Sequence, residues 1–208
     1  MHLSEGLLRP EILIGGAVLS GVMTLYAFKT LKDEDIPKTA VLSALFFLAS
    51  FVHVPIGPSS VHLVLGGIVG ALLGMRAFIA IFIALLLQGV LFGFGGITTL
   101  GINLFNLATP TLIAYGLFTM PTSKRWQKDV LWFLIGFLPL SVSAFLLSLT
   151  LALNGDVFID AAKLALLAHL PLMFIEGFMT LFALRFIEKV SPTLLCTKEK
   201  AYVTNNTL

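Results

Sequence analysis

The sequence predicts an all-α integral membrane protein of seven transmembrane helices, and three observations point there. Of its 208 residues, 58% are hydrophobic and only 12% charged, with a mean hydropathy of +1.00, a composition suited to a lipid environment. The apolar residues come in unbroken runs, several of them near the roughly 17 to 25 residues that a helix needs to cross the hydrocarbon core. Between the runs, Lys and Arg fall in alternate loops only, and cytoplasmic loops carry the basic excess.

Taken in order, span 1 is residues 12–28, and the charged segment KTLKDEDIPK ends it, with Pro37 opening the next helix. Span 2, residues 39–55, stops at VPIGPSS, where Pro55, Gly57 and Pro58 forbid a regular helix. Span 3, residues 61–74, has 14 residues, a length that by itself also suits a re-entrant segment. Span 4 runs from Ala77 to about Phe94 and meets the Gly-rich GFGGITTLG. Spans 5, 6 and 7 are residues 102–120, 130–153 and 161–187. Residues 1–190 read as one transmembrane domain and 191–208 as a cytoplasmic tail.

Charge resolves the short third run. Lys29, Lys32 and Lys38 follow span 1, Arg76 follows span 3, Lys124, Arg125 and Lys128 follow span 5, and Arg185, Lys189, Lys198 and Lys200 end the chain. The loops between carry no basic residue, so the alternation requires residues 61–74 to cross. The amino terminus is then outside and the carboxyl terminus in the cytoplasm. Glu5, Arg9 and Glu11 interrupt the first residues, so no signal peptide is expected. Met1 is expected to be retained, because His2 is too bulky for ordinary removal of the initiator.

A terminus that begins Met1–His2 offers three nitrogens in chelating order: the amine, the amide of residue 2 and its imidazole. Fused chelate rings with a deprotonated amide suit a square-planar metal, Ni(II) or Cu(II) before Zn(II) or Mg(II). The topology places His53 and His62, on either side of the loop after span 2, at the same face. Either alone is an ordinary interfacial histidine bonding a loop carbonyl, but three of the four histidines in the chain gather there, and neutral imidazole is the commonest ligand for such metals.

Within the spans, Gly66, Gly70 and Gly74, Gly89 and Gly93, and Ala40 and Ala44 recur at four-residue spacing, which lets helices approach closely. Gln88, Asn103 and Asn106 are expected to make interhelical hydrogen bonds or to line a path, and His169 and Glu176 in span 7 are candidates for that path or for the surroundings of the site. Glu176, about two helical turns beyond His169, must be neutralised, paired or functional.

No GxxxxGK[ST], HExxH or GxSxG motif occurs, so neither an ATP-binding loop nor a hydrolytic site is expected, and the basic flanks form no nucleic-acid patch. The single Cys196 excludes a disulfide framework and a thiolate cluster. An outward chelate without its own energy source suggests the capture subunit of a larger transporter. A membrane metal sensor or chaperone is the alternative from another class. A capture subunit for an organic vitamin, with structural histidines, is a third.

MHLSEGLL, IPKTAVLSALFFLASFVHVPIGPSSVHLVLGG, LLQGVLFGFGGITTLGINLFN and AHLPLMFIEGFMT, in that order and spacing, resemble the CbiM/NikM family. These are the substrate-specific components of energy-coupling factor transporters for cobalt and nickel. The resemblance covers nearly all of the chain before about Pro192. It implies a substrate-specific-component core with one extra amino-terminal helix, which delivers the terminus to the metal. It also implies a ligand set of the Met1 amine, the His2 amide and imidazole, and His62. His53, Ser59 and Ser60 become neighbours of that set, together with the polar span residues above. Many nickel-type members carry Asn where this chain has Gly66.

The same resemblance implies that Ni(II) or Co(II) is the transported substrate, and a square-planar four-nitrogen set favours nickel. The partners it implies are a transmembrane coupling protein, cytoplasmic ATPase subunits and a small accessory membrane protein, in a prokaryotic inner membrane. Ala40 and Ala44 become a docking face for the coupling protein, and the chain itself is expected not to be an enzyme.

Overall fold

The computed structural model describes residues 2–56 and 59–195, with 53–56 and 59–61 described through their backbone. Met1, Gly57, Pro58 and residues 196–208 lie outside the described residues, as do the side chains of His53, Ser59 and Ser60. Eight α-helices and one hairpin account for most of the described chain: α1 (Pro10–Thr30), α2 (Ile36–Ala49), β1 (His53–Ile56), β2 (Ser59–His62), α3 (Gly66–Leu73), α4 (Ala77–Phe92), α5 (Leu100–Ala108), α6 (Thr111–Thr119), α7 (Arg125–Leu153) and α8 (Ile159–Val190). Five described stretches are long and apolar enough to cross a membrane: Pro10–Thr30, Gly66–Phe92, Leu100–Thr119, Arg125–Leu153 and Asp156–Val190.

The all-α expectation needs one correction. Residues 53–62 form neither a helix end nor a helix start; β1 and β2 pair antiparallel with His53 opposite His62 and Ile56 opposite Ser59. Pro55 and Pro58 block helix from within, and the flanking Val54, Ile56 and Val61 favour extended backbone. Helix therefore resumes only at Gly66, and the eight residues of α3 rise about 12 Å.

Gly66–Phe92 is not one straight rod. Arg76 pairs with Asp35 at 2.6 Å, the Ser43 hydroxyl donates to the Ala80 carbonyl at 2.7 Å, and the Gln88 amide donates to the Ser50 hydroxyl at 2.7 Å. α2 and α4 thus run parallel. α3 starts beside the Ser50 end, below β2, and reaches Arg76 at the Asp35 end, so the chain reverses between α3 and α4. The reversal is made at Gly74, whose φ of +57 and ψ of −127 are open to glycine alone.

α1 lies against the bundle through a narrow face of Gly16, Ser20, Thr24 and Ala27, while Ile14, Val18, Val22 and Leu25 face outward. The Ser20 and Thr24 hydroxyls donate to the carbonyls of Gly16 and Ser20, each at 2.7 Å, and so need no partner from another helix. Such a smooth face allows close contact: a Cβ on Gly101 of α5 would stand 2.5 Å from the Ala17 Cα. The span expected at 102–120 is two helices, α5 and α6, broken at Thr109–Pro110, where proline removes a backbone donor. α7 and α8 run antiparallel, with the Arg185–Asp129 and Lys128–Glu188 pairs at one shared end.

Gly101→Leu is expected to overpack the α1–α5 crossing at a cost of about 1–3 kcal/mol. The check is thermal unfolding in detergent, where an unchanged midpoint would contradict this close contact.

Candidate metal centre

Residues 2–9 have no regular structure, so their backbone groups must find partners elsewhere. Asn103 on α5 supplies two: its Oδ1 accepts from the Leu3 N–H at 2.9 Å, and its Nδ2 donates to the Leu3 carbonyl at 3.1 Å. Asn154, just past α7, repeats the device. Its Nδ2 donates to the Leu7 carbonyl and its Oδ1 accepts from the Arg9 N–H, both at 2.8 Å. Between them the Glu5 N–H donates to the Gly95 carbonyl, and the Glu5 carboxylate accepts from the Thr98 N–H, each at 3.0 Å. Leu3 and Leu8 are buried beneath this strap. Gly95 has φ +78, and a Cβ there would lie 2.9 Å from Asn103 Nδ2 and 3.5 Å from the His2 Cβ. The Gly-rich loop after α4 is thus shaped around the amino-terminal segment.

The strap delivers His2 into the protein. Its imidazole is buried and stacks on that of His62, with ring centroids 4.7 Å apart and an interplanar angle of 23°; Phe94 covers it at 6.4 Å. His62, at the end of β2, is 2% exposed. Its Nδ1 lies 2.9 Å from the Leu63 carbonyl. A carbonyl only accepts, so the hydrogen resides on Nδ1 and the lone pair on Nε2. Nε2 is buried with no hydrogen-bond partner among the described residues. With the hydrogen on Nδ1, His62 keeps the Nε2 lone pair available, the form in which imidazole binds a metal.

The three residues after His62 turn into α3 through Leu65, whose φ of +54 is the only positive value at a non-glycine among the described residues. That conformation costs roughly 1–2 kcal/mol. The turn is held by Glu176 of α8, fully buried, whose Oε1 accepts from the backbone N–H groups of Val64 and, at 2.7 Å, Leu65. Of the three fates open to Glu176 in the sequence, it is paired, and with backbone.

The remaining residues singled out from the sequence divide. Asn103 belongs to the strap. Gln88 ties α4 to α2, and the Asn106 amide donates to the Thr150 hydroxyl of α7 at 3.3 Å, so both make the interhelical bonds expected of them. His169 is buried, its Nδ1 2.6 Å from the Ala165 carbonyl of its own helix and its Nε2 without a hydrogen-bond partner among the described residues. His53 lies directly opposite His62 in the hairpin register, and Ser60 opposite Pro55. Ala40 and Ala44 are exposed on α2 beside Val41 and Leu48. Sequence reasoning passed over Glu5, Asn154 and Phe94. Asn154 left a legible trace, a lone amide between the apolar end of α7 and a glycine.

Residues 2–194 match the family described as CbiM, cobalt uptake substrate-specific transmembrane region. A protein of Haemophilus influenzae named for metal transport is 38% identical over 94% of this chain and 97% of its own length. The cobalt transport protein CbiM of Lachnoclostridium phytofermentans is 29% identical over 86% of this chain and 79% of its own. The fused nickel transport protein NikMN of Rhodobacter capsulatus is 30% identical over 83% of this chain and 53% of its longer one. The fold is that of a truncated transition metal transporter of known crystal structure, with a TM-score of 0.76 at 24% identity over 91% of this chain and 99% of that one.

Asn103→Leu is expected to strip the Leu3 N–H and carbonyl of their partners, at about 1–3 kcal/mol for each buried group left unpaired. Hydrogen exchange is the readout: the Leu3 amide should exchange faster while α7 and α8 keep their protection. Unaltered protection at Leu3 would show that the strap is held by other means.

Proposed function

This chain belongs to the CbiM family, whose members are transporter components rather than enzymes, and on that premise we propose that it is the metal-capturing membrane subunit of an importer for divalent transition-metal ions. One observation carries the reading. The strap buries His2 against His62, whose Nε2 has no hydrogen-bond partner among the described residues. The ligands are the Met1 amine, the His2 amide nitrogen and imidazole, and His62 Nε2. Four nitrogens in a plane favour Ni(II), with Co(II) the second substrate, and relatives named for nickel and for cobalt transport agree with that pair.

The chain crosses the membrane seven times, as α1, α2, β2 with α3, α4, α5 with α6, α7 and α8. The end that carries the strap faces outside and the basic end faces the cytoplasm, in an inner membrane, with residues 191–208 as a cytoplasmic tail. This assignment is supported by Arg76, Lys128 and Arg185 lying at the end opposite His2. Energy comes from partners: a transmembrane coupling protein docked on the exposed Ala40–Ala44 face of α2, cytoplasmic ATPase subunits and a small accessory membrane protein. His53, Ser59 and Ser60 are assigned from the sequence as neighbours of the ligand set. Asn103 holds the terminus, Gln88 and Asn106 fix the helices beneath it, and His169 borders the site from α8.

His2→Ala is expected to abolish nickel binding by the purified protein, and a single alanine placed ahead of Met1 should do the same by moving the amine away. Titration calorimetry reads both, and nickel affinity unchanged in either protein would sink the ligand set. Uptake that needs the coupling and ATPase subunits separates an importer from a sensor, which would show no subunit-dependent accumulation.

The site also has a pH sign. The loaded form carries fewer protons than the empty one, because the amine, with an ordinary value near 7.7–8.0, and the amide both release theirs. Affinity should therefore rise with pH and fall on acidification. Nickel affinity independent of pH between about 6 and 8 would contradict coordination by the amine.

A further inference from the structure

We propose that Glu176 is a positioning residue for the metal, acting on His62 through the peptide group that joins Leu63 to Val64. The inference rests on the metal-capture reading and adds to it a residue from α8, distant in sequence from both histidines.

The geometry is a relay across one peptide plane. On one side, the Val64 N–H donates to Glu176 Oε1; on the other, the Leu63 carbonyl accepts from His62 Nδ1 at 2.9 Å. The two bonds belong to the same amide, so each strengthens the other. A carboxylate accepting from the N–H draws the amide dipole toward its polar form and makes the carbonyl oxygen a better acceptor. That oxygen in turn holds the hydrogen on Nδ1, fixes the tautomer and raises the donor strength of Nε2. Metal-ligating histidines are commonly oriented by a carboxylate or a carbonyl on their far nitrogen, and here the two act in series.

A second bond aims the ring. The Leu65 N–H also donates to Oε1, at 2.7 Å, and Leu65 is in the left-handed region that leucine avoids. Without an acceptor at this point the turn has no reason to hold that shape, and His62 sits three residues earlier. Glu176 itself cannot drift. A Cβ on Gly136 of α7 would stand 2.3 Å from its carbonyl oxygen, so α7 packs directly on the backbone of α8 at this position.

A carboxylate that only stabilises the fold would make the same two bonds, so the test must read the metal. Glu176→Met keeps the length of the side chain and removes the acceptor, whereas Glu176→Gln keeps an oxygen at the Oε1 position. With nickel ion as the probe, Glu176→Met should bind about 10–100-fold more weakly and shift the visible absorption band of the bound ion, and Glu176→Gln should restore both. A Glu176→Met protein with parental circular dichroism, nickel affinity and absorption band would overturn the proposal. So would a Glu176→Gln protein as weak as Glu176→Met.

Should Glu176→Met fail to fold, nitrogen-15 spectra of histidine-labelled parent protein decide instead, with His62 assigned by its loss in His62→Ala. A hydrogen on Nδ1 is expected, and one on Nε2 would overturn the relay. Nickel binding that survives His62→Ala would instead overturn the metal-capture reading beneath it, so the two failures are distinguishable.

Discussion

The structure depends on a pair of hydrogen bonds that hold one residue of an otherwise unstructured segment: Asn103 grips both the N–H and the carbonyl of Leu3. A chain terminus is ordinarily the first part of a protein to fray, and its ordering costs roughly 1–2 kcal/mol of backbone entropy per residue. A side-chain amide offers an acceptor and a donor with the spacing of a peptide group, so it can pair with a backbone residue as a neighbouring strand would. Asn154 does the same for Leu7 and Arg9. Two amides thus replace a sheet, and they do so from α5 and the end of α7, elements that the rest of the bundle already fixes.

α1 is best understood as the continuation of that strap. Its contact face is made of small residues whose hydroxyls bond within the helix, so it contributes close approach and little else. Its outward face is broadly apolar, as lipid requires. Such a helix resists being pulled away from the bundle without needing a specific polar partner in the membrane. Once α1 is seated on α5, residues 2–9 have only a short distance to cover, and the two asparagines determine where His2 enters.

Much of this was legible in the sequence, and the reasons differ by feature. The alternating basic loops sort the chain ends into two groups, and Glu5, Gly95, Thr98 and Asn154 do meet at the group that holds His2. The same sorting brings both His53 and His62 to the face of His2, and the resemblance to the CbiM/NikM family singles out His62, whose ring stacks on that of His2. The hairpin was not legible, because a membrane-length hydropathy window averages over residues 53–62 and hides a local change from helix to extended chain. Leu65 was not legible either, since nothing in its sequence marks a left-handed leucine; that conformation is imposed by Glu176, more than a hundred residues away. Glu176 was visible as an expensive buried carboxylate, but its partners are backbone N–H groups, which no residue pattern names.

The two halves of the proposed site are therefore held by different helices. His2 is placed by α5 and the end of α7 through side-chain bonds to the strap, and His62 is placed by α8 through the turn before α3. Neither connection contains a slack loop: each runs through one or two hydrogen bonds between a rigid helix and the backbone next to the histidine. The separation of the imidazoles is consequently a readout of how α5, α7 and α8 pack. A partner that binds the bundle and shifts α8 relative to α5 by an ångström moves the two rings apart or together by a similar distance. The planar four-nitrogen coordination proposed for the site would tolerate little of that. The same rigidity that brings His2 and His62 together would also give helix movement a direct means of loosening a metal held at the proposed site.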